Sequence, residues 1–499
     1  MTLLMRKAVN INSNIGLAVI AVMLITACSD ENNQASEVSE KTQATATQTQ
    51  PVAENNTQGS ANVFVHLFEW GWQDVAEECE SFLGPHGYAA VQVSPPQEHV
   101  QGPEWWTRYQ PVSYKIESRG GTRAEFADMV ERCKVAGVDV YADALTNHMA
   151  GLGSGTGVGG SEYSSYNYPV PYEFDDFHHC GRNGDNSIAN YQDLWEVQTC
   201  NLGTLTDLDT ANPEVQKKIA AYLQDLLNLG VAGFRLDAVK HVSHQEVSEY
   251  LAFLDEVPFL FQEVIDRGGE PINAMEYLIN GHVTEFKYPI AMLEAFEEGQ
   301  LGLLSDLDTR AGFLPADKAV VFVDNHDLQR GHAGSEDILN YKSGEYYDLA
   351  NVFMLAWPYG YPKVMSSYEF KNDQQGPPTN RPVENAVCTV GWVCEHRRPS
   401  RTGMVGFRKA TAGAPVTNWQ AFGDELISFG RGNKGHVIIN ISDETVQGSF
   451  STGLPGGAYC NVVSAGATEN ACAGSMVMVG ADGILQVSVA PMSAIAIHN

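Results

Sequence analysis

Basic residues are scarce in this sequence: Lys and Arg number 30 against 61 Asp and Glu in 499 residues, a formal charge of −31. Such a surface repels polyanions, which argues against nucleic acid as a partner. The charge fits a soluble protein with a neutral or cationic ligand, without naming that ligand. Between Ser29 and Ser60 there is no Leu, Ile, Met or aromatic residue. A stretch without large apolar side chains builds no core, so residues 29–60 are expected to form a disordered polar tether. Its root-mean-square span would be about 30 Å. The remainder is long enough for one large domain with one or two smaller ones.

The apolar run IGLAVIAVMLITA follows Arg6 and Lys7 and is too short to span a bilayer comfortably. Residues 1–28 therefore read as an export signal peptide. Its end, Ile25-Thr26-Ala27-Cys28, is similar to a bacterial lipobox, in which Cys28 becomes the lipid anchor; a plain secretory cut nearby is the alternative. The chain is expected outside the cytoplasm, secreted or lipid-anchored at the outer membrane of a Gram-negative bacterium, with no other membrane contact. Apart from Cys28, eight cysteines remain, which in an exported chain favours disulfides over metal ligation. Cys388 with Cys394 and Cys460 with Cys472 are near enough to close small loops. That leaves Cys79, Cys133, Cys180 and Cys200 to pair among themselves in an order that spacing does not fix.

From about residue 62, short β-rich runs alternate with helical patterns. The candidate strands are VFVHLF, YAAVQVS, VDVYADAL, VAGFRLDAV, PFLFQEV, HVTEFKY, AVVFVDNH and YPKVMSSY. Strand and helix alternating in this way predict an α/β fold, the (β/α)8 TIM barrel. The stretch NPEVQKKIAAYLQDLLNLG predicts a barrel helix with Asn212 as N-cap, Pro213 at the first helical position and a stop at Gly230. The connection from Met149 to Ala211 is long, rich in Gly and Tyr, and contains Cys180 and Cys200. It predicts a small inserted domain after strand 3, stapled by one disulfide. After about residue 409, the runs ELISFG, HVIINIS, ILQVSVA and AIAIHN predict a C-terminal antiparallel β-sandwich. The expected divisions are a barrel over 61–148 and 212–408, an insert over 149–211 and a sandwich over 409–499.

Asp143, Asp237, Glu263 and Asp327 fall at the C-terminal ends of candidate strands, where barrels place their reactive groups. A buried carboxylate on an apolar strand needs a partner or a task. Any one of them could be half of a structural ion pair; four converging on one barrel mouth weaken that reading.

The motifs DALTNH at 143–148, GFRLDAVKH at 233–241, FQEVID at 261–266 and FVDNHD at 322–327 occur in that order at those strand ends. With WWTRYQPVSY at 105–114 and VMSSY at 364–368, they resemble the α-amylases of glycoside hydrolase family 13. The likeness is to the chloride-dependent branch of animal and some marine bacterial enzymes, and it runs from about residue 62 to the end. It implies retaining endo-hydrolysis of α-1,4-glucosidic bonds, with an α-glucan (starch, glycogen or maltooligosaccharides) as partner and a monomeric enzyme. It implies Asp237 as nucleophile, Glu263 as general acid/base and Asp327 as the carboxylate supporting the transition state. Trp105, Trp106 and Tyr109 match stacking positions, and Gln110, His148, Arg235, Lys240, His241 and His326 match positions that contact sugar or line the cleft. A transglycosylase or maltooligosaccharide specialist on the same scaffold is a rival reading, as is a non-catalytic glycan-binding lipoprotein.

The same resemblance implies a structural calcium ion on Asn147, Asp207 and the carbonyls of Gln198 and His241. Oxygen donors of this kind suit a hard cation. It also implies an activating chloride at Arg235, Asn325 and Lys363, where Lys363 replaces the usual arginine and offers a point charge in place of a bidentate fork. The implied disulfides are Cys79–Cys133, Cys180–Cys200, Cys388–Cys394 and Cys460–Cys472. The loop after Asp327 lacks part of the family's glycine-rich stretch but keeps His332.

Overall fold

The computed structural model describes residues 62–499 apart from 169–170, 333–337, 465–466, 469–470 and 473. The expected signal peptide, Cys28 and the tether lie outside the described residues. Among the described residues no helix is long and apolar enough to cross a membrane.

Eight parallel strands close a barrel in chain order: β1 (Phe64–Leu67), β2 (Ala90–Val93), β3 (Asp139–Leu145), β4 (Gly233–Asp237), β5 (Phe259–Gln262), β6 (His282–Thr284), β7 (Ala319–Val321) and β8 (Tyr361–Ser366). Each lies within a run that the sequence marks as a strand. The barrel interior is plugged by Phe64, Ala90, Tyr141, Phe261, Val320 and Tyr361. Gly233 makes room for this plug, since a methyl group there would meet the Phe259 carbonyl oxygen at 2.6 Å and the Tyr141 ring at 2.9 Å. The helix Pro213–Asn228 starts as expected: the Asn212 side chain accepts from the Glu214 N–H at 3.0 Å and Pro213 needs no partner for a missing donor. Its buried face of Val215, Ile219, Leu223 and Leu226 packs on the barrel, and Gly230 follows in the left-handed region.

Between β3 and β4 the chain is mostly irregular. Two small antiparallel pairs, His148–Gly151 with Leu205–Asp207 and Ser154–Thr156 with Glu162–Ser164, give it what ladder it has. The C-terminal region is a sandwich of two four-stranded antiparallel sheets. One holds Val416–Ala421, Leu426–Arg431, Gly435–Asn440 and Ser493–His498; the other holds Val446–Ser451, Ile484–Val489, Met476–Val479 and Gly457–Cys460. Their facing sides bury Leu426, Ile438, Phe450, Leu485, Val489 and Ile495. Disulfides join Cys79 to Cys133, Cys180 to Cys200, Cys388 to Cys394 and Cys460 to Cys472, the pairs that the family resemblance implies.

Candidate active site

Strand periodicity builds the site. Successive side chains alternate between the two faces of a strand, so residues two positions beyond the plug also point inward. Those positions hold His66, Gln92, Asp143, Glu263 and Lys363, with Phe322 the one apolar member, and Arg235 stands two beyond Gly233; all are buried. A polar layer therefore sits directly above an apolar one, at the carboxyl ends of the strands.

Arg235 organises that layer. One terminal nitrogen donates to Asp143 Oδ1 and Asp237 Oδ1, each at 2.7 Å, and the other donates to Glu263 Oε1 at 2.5 Å. The second oxygen of Glu263 accepts from the Ala238 N–H at 2.9 Å. Ala238 is left-handed (φ 50°), so the chain turns sharply as soon as Asp237 has been presented. Asp143 also accepts from the Tyr109 hydroxyl at 3.0 Å. Asp327, at the start of the turn Leu328–Arg330, lies 3.3 Å from His326 Nε2.

Several carboxyls thus share one guanidinium away from water. Burial pushes Asp143 above and Asp237 well above the usual carboxylate range, against the pull of Arg235. Burial and the neighbouring Glu263 push Asp327 up to about 7. With Asp327 in this condition the site retains a proton near neutrality. The histidines move the other way: burial lowers His148 and His241 to about 4 and His326 well below its ordinary value. Their rings are neutral at pH 7 and can exchange hydrogen bonds with hydroxyl groups.

Above these groups opens a cavity of about 550 Å³. Of the residues expected from sequence, Trp105, Trp106, Tyr109, His148, Asp237, Lys240, His241, Glu263, His326, Asp327 and His332 line it. Arg235 and Gln110 do not. Arg235 lies behind the carboxylates, and the Gln110 side-chain oxygen accepts from the Gly151 N–H at 3.0 Å, tying the barrel loop to the insert. Trp105 is fixed edge-on to His326 at 5.4 Å, and its indole N–H donates to the Asp373 carbonyl at 2.7 Å. Tyr191, Leu202, Leu205, Ala238, Ile265 and Glu270 complete the wall and were not anticipated. Three of them lie in the insert, where no periodicity or motif marks them. Lys240 pairs with Glu270 within the barrel, and its ammonium, 5.5 Å over the Tyr191 ring, joins barrel to insert there.

Beside the cavity the expected oxygen donors gather. The Asn147 side-chain oxygen faces Asp207 Oδ1 at 3.2 Å and the His241 carbonyl at 3.3 Å; turning the amide over would make its nitrogen a donor to both. His178 holds the other Asp207 oxygen at 2.7 Å. Gln198 follows Val197, whose carbonyl receives the His241 ring nitrogen at 2.9 Å. At the expected anion position Lys363 is 2% exposed, stands 4.9 Å over the Phe322 ring and makes no ion pair among the described residues. Burial and the nearby Arg235 lower it to about 8. Asn325 spends its side-chain oxygen on the Leu328 N–H at 2.8 Å.

Two family models match the chain: the α-amylase catalytic domain over 105–256 and the α-amylase C-terminal all-beta domain over 417–499. The pancreatic α-amylase of Sus scrofa is 42% identical over 488 residues, spanning 89% of this chain and 95% of that one. The chain belongs to the α-amylase family. An α-amylase of Streptomyces violaceus is 44% identical across 88% of this chain and 74% of its own length. Among solved structures, a mutant of α-amylase I from Eisenia fetida with maltohexaose superposes with a TM-score of 0.84 at 39% identity, covering 89% of this chain and 98% of that one. The chain is accordingly a glycoside hydrolase of the branch that includes animal α-amylases.

Proposed function

We propose that this enzyme cleaves internal α-1,4-glucosidic bonds of starch, glycogen and maltooligosaccharides with retention of configuration. The observation carrying the proposal is the grip of one guanidinium on both Asp237 and Glu263 at the cavity floor, beneath an aromatic wall. A retaining pair needs carboxyls about 5 to 5.5 Å apart, and two that hold the same planar group lie close together.

Asp237 attacks the anomeric carbon while Glu263 gives its proton to the departing glycosidic oxygen. Glu263 then takes a proton from the water that releases the sugar from Asp237. Asp327 and the neutral His148 and His326 hold hydroxyls of the reacting unit, and Trp105, Trp106 and Tyr109 offer flat apolar faces to neighbouring units. Lys240 and His241 serve the other arm of the cleft.

A calcium ion would be held by Asn147, Asp207 and the Gln198 and His241 carbonyls. Oxygens bonded to one calcium at about 2.3–2.6 Å sit at separations like those seen here. The ion would supply a clamp between insert and barrel. Beside Arg235, a chloride ion fits the buried charge of Lys363, which makes no ion pair among the described residues, and it would offset these two cations. The enzyme acts as a single chain, exported and anchored through Cys28.

Hydrolysis of soluble starch by the wild type and by Glu263→Gln, each with and without chloride, tests the reading. The wild type releases α-configured maltooligosaccharides faster with chloride, and the variant loses at least a hundredfold in kcat. Intact starch with the wild type would exclude hydrolysis, and equal rates in both buffers would exclude the chloride role.

A further inference from the structure

Arg330 lies beneath the sugar platform and has no part in the chemistry above. It is 6% exposed, and its guanidinium carbon lies 5.0 Å from the Phe68 ring, 5.3 Å from Trp105, 5.1 Å from Tyr368 and 4.4 Å from Phe370. These rings come from the end of β1, the connection between β2 and β3, and the segment after β8. One terminal nitrogen donates to the His326 carbonyl at 2.8 Å, and the Arg330 backbone N–H donates to the Asp327 carbonyl at 2.9 Å. Side chain and main chain therefore both close the turn that presents Asp327. Among the described residues the side chain of Arg330 makes no ion pair; its contacts there include the four ring faces and the His326 carbonyl.

A buried cation costs desolvation that an apolar side chain of the same volume would avoid. The guanidinium compensates with a geometry no other side chain has: a plane that stacks on rings while its edge donates hydrogen bonds. Here the guanidinium lies within reach of the Trp105 ring while one terminal nitrogen meets the His326 carbonyl that leads into Asp327.

We propose that Arg330 is a positioning residue whose guanidinium holds the Trp105 ring and the Asp327 carboxylate in one register, so that a glucose unit stacked on Trp105 meets Asp327 in the reacting orientation. The inference rests on the roles given to Trp105 and Asp327 above.

The test compares kcat and KM on maltoheptaose for wild type, Arg330→Lys, Arg330→Met, Trp105→Leu and the Arg330→Lys/Trp105→Leu double variant, with folding checked by circular dichroism. Lysine keeps the charge without the plane, so Arg330→Lys is expected to fold and to lose about 10- to 100-fold in kcat with KM within about threefold. In the Trp105→Leu background the same change costs less than about threefold, because the ring it acts through is gone. Arg330→Met shows the same loss; if it does not fold, the lysine variant carries the test. Wild-type kcat in Arg330→Lys, or losses that multiply in the double variant, would overturn the proposal. A wild-type chain that leaves maltoheptaose intact would overturn the functional reading, and this inference with it.

Discussion

Asp327 shows what a reactive site costs at the level of one residue. Unfolded, its carboxyl titrates near 4; folded, burial and Glu263 carry it to about 7. Between those values the native state holds a proton that the unfolded chain has released. The stability this supplies is greatest at the acid end and falls as pH rises through 7. Asp327→Asn removes the buried charge and keeps the shape. Its thermal midpoint should exceed that of the wild type at pH 8, with the gap shrinking by pH 5, while kcat falls about 10²- to 10³-fold. Calorimetry at the two pH values checks the first part; an equal gap at both would show that Asp327 is not the group responsible. The carboxyls proposed as catalytic are conspicuous in sequence because each closes a strand-like run, and the structure gathers Asp143, Asp237 and Glu263 around Arg235. The raised titration was not legible, since it arises from burial and from the Glu263 and Asp143 carboxyls that barrel closure brings near Asp327, against the pull of Arg235.

Legibility differs as sharply between elements. The barrel strands are readable because burial on both sides makes each a short apolar run; β1 and β2 are buried throughout. In the sandwich, Leu426–Arg431 and Gly435–Asn440 are also buried throughout and were anticipated. Val416–Ala421 and Val446–Ser451 were not: they are largely exposed, and Asn418 and Gly448 interrupt any alternation. The insert has the least regular structure of all, and its contribution to the cavity through Tyr191, Leu202 and Leu205 comes from loops that only the fold brings to the cleft. With so little ladder, a calcium ion held by Asn147, Asp207 and His241, as proposed, would be a principal tie between insert and barrel. Chelation should therefore lower the thermal midpoint. An ion at a hundredfold excess over its Kd stabilises by about 2.7 kcal/mol. Scanning calorimetry should show recovery with calcium but not with magnesium, and a midpoint indifferent to chelator would remove the ion from the account.

For the molecule as a whole, barrel and sandwich are one packed body. The helices Glu345–Ala356 and Pro399–Ala410 pack against the strand Ser493–His498. Buried arginines close the seam at the carboxyl end of the first helix. Arg431 reaches the Ala356 and Ala414 carbonyls, and Arg408 donates to the Trp357 carbonyl at 2.8 Å and the Gly360 carbonyl at 2.6 Å. Cations at that end of a helix meet its exposed carbonyls and its negative pole. On the proposed anchoring through Cys28, mass spectrometry of the mature protein should find its first residue to be a lipid-modified Cys28. An unmodified terminus would make the enzyme freely secreted.

Each of the four disulfides joins a cysteine to the next one along the chain between Cys79 and Cys472, with no bond spanning another. Eight thiols released together can pair in about a hundred ways. A chain delivered amino end first meets only one choice at a time, because every bridge can shut before the following thiol arrives. Directional export would do the sorting: a compartment that receives such a chain has to supply an oxidant, and has little to undo afterwards.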